Sequence, residues 1–205
     1  MTRVAFFGTA EFAVPSLEML LQEGYEVVAV YTQPDRRAGR GRRESASPVK
    51  GAAQAVGLRL LQPETLRTAQ AVADLAALQP QVVVLAAYGL LLPEKLLAVP
   101  PQGCLNLHPS LLPRHRGPAP VVATLLAGDT ETGSTVFLMD KGMDTGPILA
   151  QRALSILPGE AAGSLTGRLA RQGADLLSQT LPSWLRGETF PVPQDEARAT
   201  YSRLV

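Results

Sequence analysis

The chain has 205 residues, of which 46% are hydrophobic and 18% charged, and its formal net charge is +1. This length supports one well-buried domain, the small net charge restricts nucleic-acid binding to local basic segments, and the apolar runs are too interrupted to span a bilayer. A lone cysteine, Cys104, cannot form an internal disulfide, and the N-terminal run MTRVAFFG lacks the pattern of a signal peptide, so we expect a cytoplasmic protein.

Strands and helices alternate along the first half of the chain. The apolar and β-branched runs predict strands at 4–7, 26–32, 59–61 and 81–87. Helical spacing predicts helices at 11–23, 48–56 and 69–78. The strand at 81–87, QVVVLAA, is apolar on both faces, as is typical of the interior of a parallel sheet.

A basic segment interrupts this pattern at residues 33–50, QPDRRAGRGRRESASPVK. It holds five arginines among glycines, prolines and serines. This composition predicts an exposed, mobile, basic loop.

The second half predicts strands at 103–107, 134–139 and 148–154 and helices at 119–127 and 161–185. The alternation favours an open α/β sheet, whose ligands bind outside the carboxyl ends of the strands. From residue 187 onward the sequence is polar and weakly patterned, which is typical of a linker or tail.

Several common sites are not predicted. The turn GTAEFA after the first strand has Gly8 but lacks the further glycines of a dinucleotide-binding fingerprint, and no P-loop follows. The chain has no HExxH and no cysteine cluster. We therefore expect neither a nicotinamide nor a metal cofactor.

Polar residues at the ends of the predicted strands carry the candidate chemistry. Asn106 can donate a hydrogen bond to an oxyanion, His108 can move protons, and Asp144 can fix the tautomer of a histidine. The same residue types also serve as caps and turn formers, above all in the glycine-flanked run MDKGMDTG. Ser110 lacks the G-x-S-x-G elbow and is expected to bind ligand or form a turn, and His115 is expected to face solvent or phosphate.

The run NLHPSLLPRHRG, with MDKGMDTGPIL after it, resembles the folate-dependent formyltransferases, whose catalytic set is an Asn, a His and an Asp. Four more stretches are similar to the members of that family that formylate methionyl initiator tRNA: FFGTAEFAVPSLEMLL, VYTQPDRRAGRGRRESASPVK, VVVLAAYGLLLP and HRGPAPVVATLLAGDTETG. The resemblance implies an open, mostly parallel, Rossmann-like α/β sheet with helices on both faces.

The resemblance also implies transfer of a formyl group from 10-formyltetrahydrofolate to the α-amino group of methionine on initiator tRNA. By position, the catalytic residues would be Asn106, His108 and Asp144. The folate would contact two segments, comprising Ser110, Leu111, Leu112 and Pro113, and Ala87, Tyr88, Gly89 and Leu90. The tRNA would contact Arg36, Arg40, Arg42 and Arg43.

Residues 1–187 would form the catalytic domain, and 188–205 the start of a linker toward a C-terminal β-barrel that this chain lacks. We expect a monomer without membrane contact. Three alternatives stay open: a glycinamide ribonucleotide formyltransferase, a formyltransferase for sugar-nucleotide amines, and a weakly catalytic folate- or RNA-binding fragment. The first would need a glycine- and serine-rich phosphate loop where this chain has GTAEFA.

Overall fold

A computed structural model describes residues 1–38 and 43–203, with the side chains of 36–38 and 43–45 outside the description. The chain forms two compact units, Met1–Gly103 and Cys104–Val205. The strands are β1 Arg3–Gly8, β2 Glu26–Tyr31, β3 Arg36–Ala38, β4 Arg43–Ser45, β5 Leu60–Leu61, β6 Val82–Ala86, β7 Cys104–His108, β8 Glu131–Leu138 and β9 Ile148–Ser155. The α-helices are α1 Val14–Gln22, α2 Pro48–Ala55, α3 Ala69–Ala77, α4 Glu94–Leu97, α5 Pro120–Leu126 and α6 Ala162–Leu185, and 3-10 helices lie at Glu11–Ala13 and Glu196–Arg198.

The first unit contains a parallel sheet in the order β5-β2-β1-β6. Every residue of β6 is buried, as its continuous apolar run predicted. Capping residues set the starts of two helices. The Ser47 hydroxyl accepts from the Lys50 amide at the start of α2, whose first residue is Pro48, and the Thr68 hydroxyl accepts from the Ala71 amide at the start of α3. The predicted open α/β sheet is confirmed, with its parallel part in this unit.

The basic segment is more regular than its composition predicted. Strands β3 and β4 pair antiparallel, with Arg37 opposite Glu44. The sequence did not indicate this pairing, because strands of three residues leave little periodic signal. Arg40 and Arg42 lie outside the described residues, as do the side chains of Arg36 and Arg43.

The second unit carries an antiparallel sheet in the order β7-β8-β9. These strands form the antiparallel part of the sheet, whose position the expectation of a mostly parallel sheet did not specify. The loop between Leu138 and Ile148 is too short for the crossover that a parallel pair requires, so β9 must return antiparallel to β8. Helix α6 packs against all three strands, and at Gly173 it approaches β7 so closely that an added Cβ would lie 2.7 Å from Leu107 Cδ2.

The segment after α6 belongs to the second unit and is bonded to its strand β9 and to the loop after β7. Val192 exchanges two backbone hydrogen bonds of 2.8 Å with Ile148, and the Ser202 amide donates to the Arg116 carbonyl over 2.7 Å. The proposed domain boundary at residue 187 stays a prediction. Among the described residues no helix is long and apolar enough to cross a membrane.

Candidate active site

Strand β7 places Asn106 and His108 side by side, because alternate residues of a strand face the same way. Both side chains are buried, with 7% and 5% of each residue exposed. Leu107, on the opposite face, packs against Gly173 of α6. Strand β7 therefore has one polar face and one face that packs against α6.

The loop between β8 and β9 supplies Asp144, and it separates the two roles that the sequence left open for its aspartates. Asp140 forms the turn, since its Oδ1 accepts from the Gly142 amide at 2.9 Å and from Thr145 Oγ1 at 2.7 Å. Asp144 has a left-handed φ of 55°, and its carboxylate is not used within the turn. It faces β7 instead.

Asn106, His108 and Asp144 come together in the second unit. The Asn106 amide nitrogen lies 3.5 Å from Asp144 Oδ1, and His108 Nδ1 lies 3.7 Å from Asp144 Oδ2. The Gly117 amide donates to the same Oδ2 over 2.7 Å. Asp144 is thus held by a short bond to fixed backbone, while its contacts with the two β7 side chains are long enough to adjust.

The tautomer of His108 follows from its second contact. Its Nε2 lies 3.0 Å from the His115 carbonyl oxygen, which can only accept, so Nε2 carries a hydrogen. Nδ1 is then the nitrogen that faces Asp144 and that can gain or lose a proton beside the carboxylate.

Asn106 is only partly satisfied. Its Oδ1 is buried without a partner among the described residues, and its amide nitrogen makes one bond at the long limit. A buried amide with this much unused hydrogen-bonding capacity is available to a ligand.

His115 does not face solvent, so that part of the expectation was wrong. The residue is 8% exposed, and its Nε2 lies 2.7 Å from Asp129 Oδ2. Arg114 pairs with the other oxygen of Asp129 at 2.7 Å. A carboxylate 14 residues beyond His115 therefore pairs with two of the three residues of the basic run, a pairing that sequence spacing does not reveal.

The segment 110–113 forms a tight turn held from both sides. Ser110 is fully buried and its hydroxyl donates to the Arg114 carbonyl, which is the turn-forming role considered for it. Thr135 donates to the Ser110 carbonyl and accepts from the Leu112 amide, and Gln151 donates to the Leu112 carbonyl. Leu112 and Pro113 are buried, while Leu111 is half-buried.

In the first unit, residues 87–90 form a turn after β6. Ala87 and Gly89 both have positive φ, and the Tyr88 ring packs edge-on against Phe7 at 5.2 Å. The Tyr88 carbonyl accepts from Thr9 Oγ1 at 2.8 Å and from Gln33 Nε2 at 2.9 Å. One oxygen therefore ties together the ends of β1, β2 and β6.

Within the part of the chain that the structure describes, no three His, Cys, Asp or Glu residues cluster as metal ligands would. A cavity of about 370 Å³ lies on the Asp129 side of the 110–115 turn, between residues that include Leu112, Gln151 and Arg198. None of Asn106, His108 and Asp144 lines it.

A family model described as formyl transferase matches residues 2–181, which includes every residue of the Asn-His-Asp cluster. The chain belongs to the formyl transferase family. The fold agrees, since the phosphoribosylglycinamide formyltransferase of Bacillus halodurans superposes with a TM-score of 0.76 at 26% identity, over 90% of this chain and 95% of that one.

Two curated relatives are closer in sequence. A methionyl-tRNA formyltransferase of Chloroflexus aurantiacus is 54% identical over 99% of this chain and 66% of its own length. One from a Roseiflexus species is 53% identical over 99% of this chain and 63% of its own length. This formyl transferase chain thus spans slightly less than two thirds of the length of these relatives.

Sequence reasoning missed two residues that organise the cluster. Arg116 is fully buried, and Gln194 bonds both to it and to the loop between β8 and β9 that carries Asp144, called the aspartate loop below. The two are 78 residues apart, and Gln194 lies beyond the region matched by the family model. The local sequence gives little indication of this role for Arg116, because the residue simply precedes Gly117 and Pro118 in a turn-forming stretch.

Proposed function

We propose that this chain transfers a formyl group from 10-formyltetrahydrofolate to the α-amino group of methionyl initiator tRNA. The observation that carries the proposal is the cluster of Asn106, His108 and Asp144, in a chain 54% identical to a methionyl-tRNA formyltransferase. The proposed setting is the cytoplasm, in agreement with a lone, buried cysteine, and the proposed state is a monomer.

The reaction is a direct acyl transfer. The neutral α-amino nitrogen attacks the formyl carbon, so that a C–N bond forms and the carbonyl electrons move to oxygen. The tetrahedral intermediate then breaks the bond between that carbon and folate N10. One proton leaves the attacking nitrogen and one reaches N10, so that charge and atoms balance without a covalent enzyme intermediate.

Asn106 and His108 would stabilise the oxyanion. They share one face of β7, and the Asn106 amide nitrogen has only a 3.5 Å contact to give up. Fixed donors that point at developing charge in a buried site are worth more than the same donors in water, because they need no reorganisation.

Asp144 would take the proton-transfer role beside His108. Its Oδ2 is held by the Gly117 amide at 2.7 Å and lies 3.7 Å from His108 Nδ1. From this position the carboxylate would pass a proton from the attacking amine to N10, directly or through a water molecule.

For the folate, we propose contacts with the turn 110–113 and with the turn 87–90. In the first, Leu111 is the side chain left partly exposed, while Ser110 and Leu112 face inward. In the second, Ala87 and Gly89 are exposed. These positions suit contact with an aromatic ring system through backbone and apolar groups rather than through charge.

The turn after β1 disfavours the glycinamide ribonucleotide alternative, whose substrate carries a phosphate. The Thr9 and Ala10 amides already donate to the Ala87 carbonyl, so neither is free to bind phosphate. Glu11 places a carboxylate at the start of the following 3-10 helix, where a phosphate would be repelled. Gly8 is explained by packing, since an added Cβ would lie 2.8 Å from Ala13 Cβ.

The test is a formylation assay with three acceptors: methionyl initiator tRNA, glycinamide ribonucleotide and a sugar-nucleotide amine. We expect formylation of the tRNA, and a loss on the order of a hundredfold or more in Asn106→Ala. Glu188→Gln is the control, because Glu188 lies in an exposed ion pair with Arg186. Near-normal activity of folded Asn106→Ala, or a preference for another acceptor, would overturn the proposal.

We further propose that the arginine segment contacts the tRNA through Arg36, Arg40, Arg42 and Arg43. Its composition supports contacts with phosphates or unpaired bases. The charge reversals Arg42→Glu and Arg43→Glu should weaken tRNA binding and reduce its salt dependence. Unchanged affinity at every salt concentration would remove these two residues from the interface.

A further inference from the structure

Residues 192–202, called the strap below, follow α6 and contact both the loop that carries Asp144 and the loop that follows β7. The strap begins with the paired backbone bonds between Val192 and Ile148. It ends with Ser202, whose amide and hydroxyl both donate to the Arg116 carbonyl, at 2.7 and 3.0 Å. It therefore contacts both the aspartate loop and the loop after β7.

Gln194 uses its whole hydrogen-bonding capacity on these loops. Its amide nitrogen donates to the Asp144 carbonyl at 2.8 Å and to the Gly146 carbonyl at 2.7 Å. Its oxygen accepts from Arg116 Nε at 3.0 Å and Nη2 at 2.9 Å. Two donors and two acceptor sites are all that a glutamine offers, so the side chain is saturated.

Arg116 is saturated as well. Besides Gln194, its guanidinium donates to both oxygens of Glu196, at 2.7 and 2.9 Å, and to the Tyr201 hydroxyl at 3.1 Å. The Arg116 side chain is fully buried, and every one of these partners belongs to the strap. A buried guanidinium requires such partners, so Arg116 and the strap depend on each other.

The backbone of residues 115–117, called the cradle below, contacts both His108 and Asp144. The His115 carbonyl faces His108 Nε2, and the Gly117 amide donates to Asp144 Oδ2. The strap holds this cradle through Thr200, whose hydroxyl accepts from the His115 amide at 2.8 Å and whose carbonyl accepts from the Arg116 amide at 2.8 Å.

We propose that Gln194 is a positioning residue for Asp144, and that the strap is part of the catalytic unit. The inference rests on the proposed function, in which Asp144 and His108 act on the transferred group. Gln194 fixes the aspartate from two sides: directly, by the bonds to the Asp144 and Gly146 carbonyls, and indirectly, through Arg116 and the cradle.

The backbone of Asp144 shows why such a holder is needed. A non-glycine residue with φ of 55° is strained and persists only when its surroundings impose it. Gly146 restricts the loop further, because an added Cβ would collide with the Leu138 carbonyl oxygen. Gln194 bonds to the carbonyls of both residues, which sets the direction in which the Asp144 carboxylate leaves the loop.

The first experiment does not depend on activity. Hydrogen exchange of the Gly117 amide, followed by NMR, reports whether Asp144 Oδ2 stays in place. Gln194→Met keeps the side-chain length but removes every bond, and Gln194→Glu keeps an acceptor for Arg116 but removes both donors. We expect exchange at Gly117 to become faster by on the order of tenfold in both variants, and to be unchanged in the control Glu188→Gln. Wild-type protection of Gly117 in folded Gln194→Glu would overturn the proposal.

The second experiment separates positioning from a general effect on folding. In Gln194→Met we expect kcat to fall on the order of tenfold to a hundredfold, with KM for the formyl donor changed by less than about threefold. Added to Asp144→Asn, the same substitution should cost no more than about twofold further, because its partner's role is already lost. Fully multiplicative losses would show that Gln194 does not act through Asp144. If the wild-type chain formylates none of the three acceptors, the proposed function fails, and the exchange result still decides the positioning.

Discussion

Replacing Asn106 by aspartate should damage the site in a way that depends on pH. The two side chains have almost the same shape, but the new carboxylate would stand where the amide nitrogen now lies, 3.5 Å from Asp144 Oδ1. At an effective dielectric constant of about 20, two unit charges at this distance repel by about 5 kcal/mol. Binding one proton relieves this repulsion.

The proton should go to the introduced carboxylate rather than to Asp144. Asp144 Oδ2 accepts a hydrogen bond from the Gly117 amide, and a carboxylate introduced at position 106 has no comparable donor among the described residues. Position 106 is buried on β7, and the Oδ1 of Asn106 has no partner among the described residues. A protonated carboxyl group at this position can still donate one hydrogen bond to an oxyanion, whereas an ionised one cannot.

The assay compares kcat for formylation in Asn106→Asp and Asn106→Ala across about pH 5.5 to 8. Taking the ratio of the two variants removes effects of pH on the amine and on the rest of the protein. Asn106→Ala should lose on the order of a hundredfold to a thousandfold at every pH. The ratio of Asn106→Asp to Asn106→Ala should rise as the pH falls. A ratio that is constant over this range, or Asn106→Asp at wild-type activity, would refute the reasoning.

Three further predictions concern the scaffold. Gly146→Ala should lower the free energy of unfolding by about 2 kcal/mol or more in urea titrations, because the methyl group would collide with the Leu138 carbonyl oxygen. Gly51→Ala in α2, which has open space around it, should raise the free energy of unfolding by up to about 1 kcal/mol. Equal effects of the two substitutions would contradict the packing argument. Burial raises the pKa of Cys104 to about 12, so at about pH 8 its thiolate fraction is on the order of 10⁻⁴. Iodoacetamide should therefore label this cysteine only after the chain unfolds. Fast labelling of the native chain would show that the thiol is accessible. Hydrogen bonds from Arg116 hold the pKa of Glu196 below its ordinary value, so this pair stabilises the fold at neutral pH and the effect is lost as the pH falls through that lowered pKa. Glu196→Gln should therefore lower Tm at about pH 7 and lose its difference from the wild type in acid, and a difference that persists in acid would assign it to another cause.

Sequence reasoning located the long and strongly patterned elements well. The predicted helix at 161–185 is observed as α6 Ala162–Leu185, and the predicted strand at 81–87 as β6 Val82–Ala86. Burial of one face sets the helical period of α6, and burial of both faces sets the unbroken apolar run of β6; both patterns are visible in one sequence. The short α4 was missed because a four-residue helix has too few turns to show a period.

The cluster was predictable in part. The resemblance named Asn106, His108 and Asp144, and their placement on a strand and a neighbouring loop followed from the strand pattern. What holds them was not predictable, because the bonds of Arg116 and Gln194 join positions 78 residues apart and leave no periodic trace. The polar composition of the strap, which is typical of a linker, reflects side chains used to satisfy a buried guanidinium.

The shared carbonyl of Tyr88 has a consequence for chimeric enzymes. Residues 87–90 look like an independent turn, but Thr9 and Gln33 both donate to the Tyr88 oxygen, and Gln33 also accepts at its own carbonyl from Gln62. A turn grafted from a relative brings its own backbone carbonyl at position 88, while both donors remain on the host at positions 9 and 33. Exchanges of residues 87–90 should therefore succeed where the new turn keeps the carbonyl in the same direction, and exchanges of the segments around Thr9 or Gln33 should fail where they remove a donor.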